Sequence, residues 1–338
     1  MKAILVAALL LFPGALRAAD RLPIIDMHLH ALHADDQGPP PLAMCTPLGE
    51  MPVWDQRRAY ADVFMDRLKH PPCSDPVWSS TSDEVLMRDT IAVMDRLNII
   101  GVVSGPEERV AAWRKARADR LIPGLTFQME PAITPARLRA LHGAGALDVL
   151  GEVTTQYAGI APDDPRLEPY WALAEELDIP VGIHVGTGPP GVIYMGASGY
   201  RARLHSALTM EEVLVRHPKL RVYLAHAGYP MIDDLLALLY AHPQVYVDVG
   251  VIVYTQPRAA FYHYLQRIEE AGFGSRIMFG SDQMVWPGVI ERAVKVIEDA
   301  PDLDAKQKRD ILYNNAARFL RLTPEQMEAH RRLGRESR

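Results

Sequence analysis

The stretch Pro23-Ile24-Ile25-Asp26-Met27-His28-Leu29-His30 decides how the chain is interpreted, because an apolar run ends in two histidines one residue apart. Successive side chains of a β-strand point to opposite faces, so residues i and i+2 share a face. His28 and His30 would therefore leave the same face at the end of a strand. Two neutral imidazoles this close are typical ligands of a first-row metal such as zinc. A single HxH also occurs in ordinary loops, so the rest of the chain must support this interpretation.

Further short apolar runs follow, separated by longer amphipathic stretches, and this alternation is typical of βα units around a parallel sheet. The predicted strands are 24–30, 99–104, 122–127, 148–153, 180–185, 221–226, 245–250 and 277–282. The predicted helices are 83–97, one starting at Thr134-Pro135, 166–178, 207–217, 230–241, 259–272, 289–299 and 304–320. Eight βα units in a chain of this length predict an α/β fold, the (β/α)8 TIM barrel.

The connection after the first predicted strand, residues 31–81, is long and rich in proline. It holds Trp54, Trp78 and both cysteines of the chain, Cys45 and Cys73. Connections of this length are usually functional lids or disordered segments, and the aromatic residues favour an ordered cap over the barrel mouth. Two alternatives stay open for the cysteines: a disulfide formed in an oxidising compartment, or two independent thiols.

The first 19 residues have the pattern of a secretory signal peptide. A lysine at position 2 precedes an apolar run over residues 3–12, and small residues allow cleavage after Ala18 or Ala19. That run is too short to span a bilayer comfortably, which disfavours a membrane anchor. We therefore expect a periplasmic or secreted protein, with residues 20–338 as one barrel domain that has no membrane contact after cleavage.

Composition narrows the range of partners. The formal net charge of −6 gives no electrostatic attraction to nucleic acid or to an anionic membrane surface. Hydrophobic residues make up 49% of the chain, which is enough for a sizeable core. The expected partner is a small-molecule substrate, and the sequence leaves open whether the protein forms a homo-oligomer.

Ionisable residues end five of the eight predicted strands. They are His28 and His30 on the first strand, Glu152 on the fourth, His184 on the fifth, His226 on the sixth and Asp282 on the eighth. In a TIM barrel the carboxyl ends of the strands form the active face, so these side chains would converge. Burying unpaired charges costs several kcal/mol each, so a metal explains them better than a set of hydrogen-bonded polar residues.

Six sequence blocks in a fixed order resemble the amidohydrolase superfamily, in particular its amidohydrolase 2 branch. They are IIDMHLH at the start, LGEV, GIHVG and LAHAGYP in the middle, and MFGSD and NNAARFL towards the end. The resemblance extends from Ile24 to about Leu322. This branch contains metal-dependent hydrolases and decarboxylases related to aminocarboxymuconate-semialdehyde decarboxylase, so the resemblance implies a metal-dependent enzyme.

The resemblance also implies roles for individual residues. The implied metal ligands are His28, His30, His184 and Asp282. His226 would orient or deprotonate the attacking water, and Asp282 would carry the water's proton to the leaving group. Many superfamily members have a carbamylated lysine on the fourth strand, where this chain has Glu152. That carboxylate would either ligate metal or support a histidine, so we expect one firmly bound divalent ion, most readily Zn²⁺, and leave a second open.

Loop residues beyond the strands are weaker candidates. Four are assigned to substrate binding: Tyr194, Arg201, Arg203 and Trp286. The two arginines could pair with a substrate carboxylate, although a solvated loop explains them equally well. Tyr254 is a candidate pocket wall, and His33, in the loop after the first strand, could reach the site. His205 lies with the two arginines in the loop after the fifth predicted strand and is given no role.

These features favour a metal-dependent hydrolase of a small-molecule amide, lactone or ester-like bond. The alternative is a metal-dependent, non-oxidative decarboxylase of a small carboxylic acid, which uses nearly the same ligands. Export favours hydrolysis by analogy, because scavenging hydrolases work outside the cytoplasm. A nuclease is disfavoured by the negative charge, and a non-catalytic metal-binding protein by the spare histidine, His226.

The export prediction can be checked on the protein purified from its native source. N-terminal sequencing should find a chain that begins at Ala19 or Asp20, because a signal peptidase cleaves after small residues. A cytosolic protein that still begins at Met1 would contradict export and would remove an argument against the decarboxylase.

Overall fold

The computed structural model describes residues 21–336, so the predicted signal peptide lies outside the described residues. In chain order the strands are β1 (Ile24–His30), β2 (Ala43–Met44), β3 (Val77–Trp78), β4 (Ile99–Ser104), β5 (Leu121–Phe127), β6 (Val149–Val153), β7 (Val181–His184), β8 (Val222–Ala225), β9 (Val245–Asp248) and β10 (Ile277–Met278). β2 and β3 form a small antiparallel pair, and the other strands form one parallel sheet.

Helices follow the strands of the parallel sheet. They are α1 (Tyr60–Lys69), α2 (Asp83–Leu97), α3 (Glu107–Arg117), α4 (Pro135–Gly143), α5 (Glu168–Glu176), α6 (Glu211–Arg216), α7 (Ile232–Ala241), α8 (Ile252–Thr255), α9 (Arg258–Glu270), α10 (Gly288–Glu298), α11 (Ala305–Arg309), α12 (Asn315–Phe319) and α13 (Pro324–Glu336). Thr134 caps α4 by accepting a hydrogen bond from the backbone of Arg137, with Pro135 in the first turn, as the sequence predicts. Within residues 21–336, no helix combines the length and apolar character that crossing a membrane requires.

The parallel sheet is a nearly closed barrel. Its strand order is β1-β4-β5-β6-β7-β8-β9-β10, so each barrel strand pairs with the next one along the chain. Backbone hydrogen bonds join the two ends: the Met27 N–H donates to the carbonyl of Phe279 (2.9 Å), and the Asp282 N–H donates to that of His28 (2.7 Å). The predicted (β/α)8 barrel is therefore confirmed.

The last barrel strand is shorter than predicted. Only Ile277–Met278 pair with β9, whereas the sequence predicts a strand over 277–282. Beyond Met278 the backbone leaves β9: Phe279 donates to the carbonyl of Ile311, and Asp282 bonds to β1. Asp282 therefore lies in an irregular segment after the strand, not at the strand's end.

Two apolar clusters support the barrel. The larger lies between the sheet and the surrounding helices and includes the fully buried Trp113 and Trp171. The smaller contains Met27 of β1 together with Tyr313 and Phe319 from the C-terminal part of the chain. These clusters hold the strands in place, and the polar residues lie at the opposite, carboxyl ends of the strands.

Residues 31–81 form an ordered segment that lies against the loops at the carboxyl ends of the strands. Its Leu48 N–H donates to the carbonyl of Thr255 (2.9 Å), and its Leu42 carbonyl accepts a bond from the Trp286 indole (2.9 Å). Of the two alternatives for the cysteines, the structure has the disulfide, with the Cα atoms of Cys45 and Cys73 5.9 Å apart.

The disulfide makes a prediction about stability. Cys45→Ser should lower the free energy of unfolding of this segment, and the double variant with Cys73→Ser should lose no more, because both lack the same bond. The chain-entropy estimate for a loop closed over 28 residues is roughly 3–4 kcal/mol. Hydrogen exchange should show faster opening between the two positions and an unchanged barrel. Two independent thiols would instead give additive losses and would titrate in the unfolded, unreduced protein.

Candidate metal centre

The six ionisable residues predicted from the strand ends converge at the carboxyl end of the barrel. His28 and His30 come from β1, Glu152 from β6, His184 from β7, His226 from the turn after β8 and Asp282 from the segment after β10. None is more than 9% exposed. Parallel strands in consecutive order bring all their carboxyl ends to one rim, so residues more than 250 positions apart in the sequence become neighbours.

One group of donor atoms surrounds the ring of His28. Its Nε2 lies 3.1 Å from Nε2 of His30, 3.6 Å from Oε2 of Glu152 and 3.7 Å from Oδ1 of Asp282. The same Asp282 oxygen is 3.0 Å from Nε2 of His30. Two imidazoles and two carboxylates thus present electron-rich atoms to a common volume, which is the donor set that divalent zinc accepts.

A second group surrounds the other oxygen of Glu152. Its Oε1 lies 2.7 Å from Nδ1 of His184 and 3.2 Å from Nε2 of His226, and these two nitrogens are 3.1 Å apart. Glu152 therefore faces one pair of histidines with each oxygen. His184 lies in direct contact with Glu152 and His226, which is the second ligand set that the sequence leaves open, while the resemblance groups it with the histidines of β1.

The outer nitrogens of two rings fix where their protons lie. His226 Nδ1 is 3.0 Å from the carbonyl of Gly250, and His28 Nδ1 is 3.1 Å from Oδ2 of Asp248. A carbonyl or an ionised carboxylate can only accept, so each Nδ1 must donate. In the neutral rings each Nε2 would carry a lone pair directed at the cluster, as metal ligation requires. Nε2 of His226 also lies 3.2 Å from the Glu152 carboxylate; burial would lower the pKa of His226, but the bond to Glu152 outweighs it and raises that pKa. The residues present fit a divalent metal.

Polar side chains hold the backbone of these residues in place. Asp26 accepts from the N–H groups of His28 (3.0 Å) and Ser281 (2.9 Å), which ties β1 to the segment after β10. The Gln283 amide bonds to both the N–H (2.9 Å) and the carbonyl (2.6 Å) of His30. These bonds fix the positions of the histidines whether or not a ligand is bound.

His226 and Asp282 both adopt the left-handed backbone region, with φ of 59° and 51°. A non-glycine residue there costs of order 1–3 kcal/mol and persists only where surrounding contacts enforce it. The enforcing contacts are present, since Asp248 accepts from the His226 N–H (3.2 Å) and Tyr254 donates to the Asp282 carbonyl (2.9 Å). Tyr254 therefore anchors Asp282, whereas the sequence suggests that it lines a pocket.

The buried histidines and carboxylates of the cluster shift one another's pKa values. Burial alone would lower the pKa of His28, but the nearby carboxylates, Asp282 and Asp248 foremost, outweigh it and hold that pKa well above its ordinary value. Burial would likewise raise the pKa of Glu152, yet the histidines, His184 first, hold it well below its usual range. The pKa of Asp282 is also lowered, because His28 and other histidines outweigh the burial. The carboxylates therefore stay ionised and attract a cation.

Sequence reasoning missed Asp248, the fully buried partner of His28. Asp248 ends strand β9, just as the six predicted residues lie at the ends of predicted strands, and this position could have identified it as a site residue. The bend after β9 brings Gly250 so close that a Cβ there would lie 2.9 Å from both the Asp248 carboxylate and His28 Nδ1. Only glycine fits beside this pair without displacing it.

The four residues assigned to substrate binding lie in the loops after β7 and β10, and their role in binding stays a prediction. Arg201 and Arg203 are exposed, and the Arg201 guanidinium bonds to nearby backbone carbonyls. Tyr194 is 58% exposed and contacts Trp54 of the 31–81 segment, and Trp286 anchors that segment through its indole.

His205, which is in the same loop as the two arginines and to which sequence reasoning assigned no role, lies beside the cluster. It is completely buried, and its ring centroid is 5.1 Å from that of His184 and 5.4 Å from that of Tyr157. Burial, and then the neighbouring His184, lower the pKa of His205 to about 3. Sequence reasoning also missed Tyr157, whose hydroxyl is 3.3 Å from Nε2 of His184 and whose pKa burial raises well above its ordinary value.

Comparison with protein families gives a match over almost the whole barrel. The family model Amidohydro_2, described as amidohydrolase, matches residues 25–322. The chain belongs to the amidohydrolase family. This confirms the resemblance seen in the sequence and supports a metal-dependent enzyme that acts on a small molecule. None of the curated proteins compared with the chain matches it.

Several solved structures have a fold similar to that of this chain. An uncharacterized TIM-barrel protein from Bordetella bronchiseptica has a TM-score of 0.59 and 19% identity, covering 91% of this chain and 100% of that one. A 5-carboxyvanillate decarboxylase from Sphingomonas paucimobilis has a TM-score of 0.55 and 18% identity, covering 89% and 100%. A probable 2-pyrone-4,6-dicarboxylic acid hydrolase from Acinetobacter baumannii has a TM-score of 0.54 and 15% identity, also covering 89% and 100%. At these identities the similarity is one of fold alone. The similar structures include both a decarboxylase and a probable hydrolase.

The geometry makes a prediction about metal content. His28→Asn should lose most of the bound divalent metal, because it removes the nitrogen that faces His30 and two carboxylates. Glu152→Gln tests the number of ions: we expect about one firmly bound ion per chain both with and without this change. Elemental analysis of the purified proteins measures both.

The matched control is His263→Asn, which changes an exposed histidine of α9 and should leave the metal content unchanged. Normal metal content in folded His28→Asn protein would remove His28 from the ligands. A drop from two tightly bound ions to one in Glu152→Gln would show that the carboxylate bridges two metals.

Proposed function

We propose that this family member is a metal-dependent hydrolase that cleaves an amide, lactone or ester-like bond of a small molecule. Its proposed cofactor is one firmly held divalent cation, most readily Zn²⁺, with His28, His30, His184 and Asp282 as principal ligands. Glu152 then supports the histidines or contributes to a weaker second site. We also propose that the protein is exported and works as a scavenging enzyme outside the cytoplasm.

The observation that carries the proposal is that the cluster is rich in proton acceptors. Two carboxylates, Glu152 and Asp282, and the ring of His226 converge there, and the bond from His226 Nδ1 to the Gly250 carbonyl leaves Nε2 facing the cluster. Hydrolysis begins by removing a proton from water, which such groups favour. Decarboxylation of a ring acid instead needs a proton donor for the carbon that loses CO₂.

Each residue has a role that its contacts support. A divalent cation held in the cluster would lower the pKa of a water molecule and polarise the scissile carbonyl. Asp282 accepts the proton of the attacking water and later delivers it to the leaving group. His226 orients that water through Nε2, while Asp248 and the Gly250 carbonyl keep the two rings in the required tautomers.

The charges around the cluster also favour an uncharged scissile group. In residues 21–336, no arginine or lysine side chain forms an ion pair or hydrogen bond with Glu152, Asp248 or Asp282, and Arg201 and Arg203 are exposed. A substrate carboxylate at the reacting carbon would therefore find no arginine or lysine partner there and would depend on the metal and the histidines for a countercharge. An amide or ester carbonyl has no such requirement, which favours hydrolysis.

The reaction type can be measured directly. The metal-loaded enzyme should hydrolyse 4-nitrophenyl acetate or the lactone dihydrocoumarin, and one oxygen from ¹⁸O-labelled water should enter the acid product. His226→Asn should lower kcat by about 10² or more and keep its metal, because the ring acts on the water and not as a principal ligand.

His263→Asn again serves as the control and should keep full activity. An unchanged kcat in His226→Asn would leave the histidine with a packing role only. Release of CO₂ from 2-hydroxybenzoate, without hydrolysis of the esters or lactones, would establish the decarboxylase in place of the hydrolase.

A further inference from the structure

His205 is a polar residue whose hydrogen-bonding capacity the protein leaves unused. It belongs to the 3₁₀ turn Ala202–His205 in the loop after β7, and its side chain is completely buried. Neither ring nitrogen has a hydrogen-bond partner among the described residues. Buried polar groups are nearly always bonded, and leaving one unbonded costs about 1–3 kcal/mol, so an imidazole with both nitrogens unused indicates a ligand.

The position of His205 is next to the metal centre but outside it. Its ring lies 4.5 Å from that of Tyr200 and 5.4 Å from that of Tyr157, measured between centroids. Tyr157 is half-buried and follows β6 at the barrel mouth, and its hydroxyl contacts Nε2 of His184. His205 and Tyr157 therefore lie next to each other on the His184 side of the donor cluster.

The chemistry of the site selects the ligand. Within residues 21–336 no carboxylate bonds to His205, so its buried ring is neutral and offers one N–H donor and one lone pair. A hydroxyl group both donates and accepts, so it can bond one ring nitrogen and a tyrosine oxygen. A carboxylate only accepts, and within residues 21–336 no basic side chain pairs with this ring or with Tyr157 to neutralise it.

We propose that His205 and Tyr157 form a subsite that binds an uncharged hydroxyl group, alcoholic or phenolic, of the substrate. This subsite deepens the proposed function by assigning the hydrolase a hydroxylated, uncharged substrate. An ordered water has the same hydrogen-bonding chemistry and could satisfy His205 by itself. The experiment must therefore separate a substrate hydroxyl from a resident water.

Three small ring compounds serve as probes of the metal-loaded protein: phenol, which donates and accepts, anisole, which only accepts, and benzoate, which is charged. Phenol should bind about tenfold more tightly than benzoate and about fivefold more tightly than anisole. The imidazole ¹⁵N signals of His205, assigned by their loss in His205→Phe, should shift when phenol is added. None of the probes is hydrolysed, so the result does not depend on whether the enzyme is a hydrolase.

His205→Phe should abolish the preference for phenol while metal content stays unchanged, and His205→Gln, which keeps a donor and an acceptor, should restore part of it. His263→Phe is the control on the exposed face of α9 and should retain the preference. If His205→Phe does not fold, the phenol preference of His205→Gln and the ring signals of the unaltered protein still show whether His205 contacts the hydroxyl group. Benzoate binding as tightly as phenol, a preference that survives in His205→Phe, or a His205 ring that contacts only water would each overturn the proposal.

Discussion

Atoms that repel one another are held together at the mouth of this barrel. Nε2 of His28 lies within 3.7 Å of Nε2 of His30 and of oxygens from Glu152 and Asp282, and in the neutral rings these atoms carry lone pairs. Such an arrangement is favourable only when a cation or protons lie among the donors. The bonds that fix each residue therefore have a purpose beyond rigidity: Asp26, Asp248 and the other anchoring side chains resist the repulsion that would otherwise separate the donors.

The barrel supplies the geometry that makes this clustering possible. A parallel sheet in consecutive order brings every carboxyl end to the same rim, while closure between β1 and the segment after β10 brings the first and last blocks of the chain together. The short strand β10 also contributes to this clustering. Because the chain leaves the ladder after Met278, Asp282 can adopt a left-handed conformation and face His30, which a continuous strand would not allow.

The sequence predicts the barrel and the six clustered residues because both depend on local patterns. Apolar runs with polar ends mark strands and their carboxyl ends, and the fold then brings those ends together without any knowledge of loop structure. The structural details that the sequence does not predict depend on contacts between distant segments. The partner of His28 is a residue 220 positions away, and the exposure of Arg201 and the burial of His205 follow from how one loop packs against the barrel. Composition could not decide between the disulfide and free thiols, because pairing requires that the 31–81 segment bring Cys45 and Cys73 together.

The metal centre and the recognition of substrate rest on different parts of the chain. The donor cluster is built by strands and held by buried hydrogen bonds, so its chemistry is common to the family. The surrounding loops carry the other contacts: Tyr194 after β7 contacts Trp54 of the disulfide-bonded segment at 4.7 Å between ring centroids, and His205 lies in the same loop. Loops tolerate changes that strands do not, so substrates can diverge while the metal centre is retained. What then separates a hydrolase from a decarboxylase on this fold is the supply of protons and countercharges around the reacting carbon. In this chain Nε2 of His226 faces Glu152 within the cluster, and neither Tyr157 nor His205 beside it pairs with an arginine or lysine among residues 21–336.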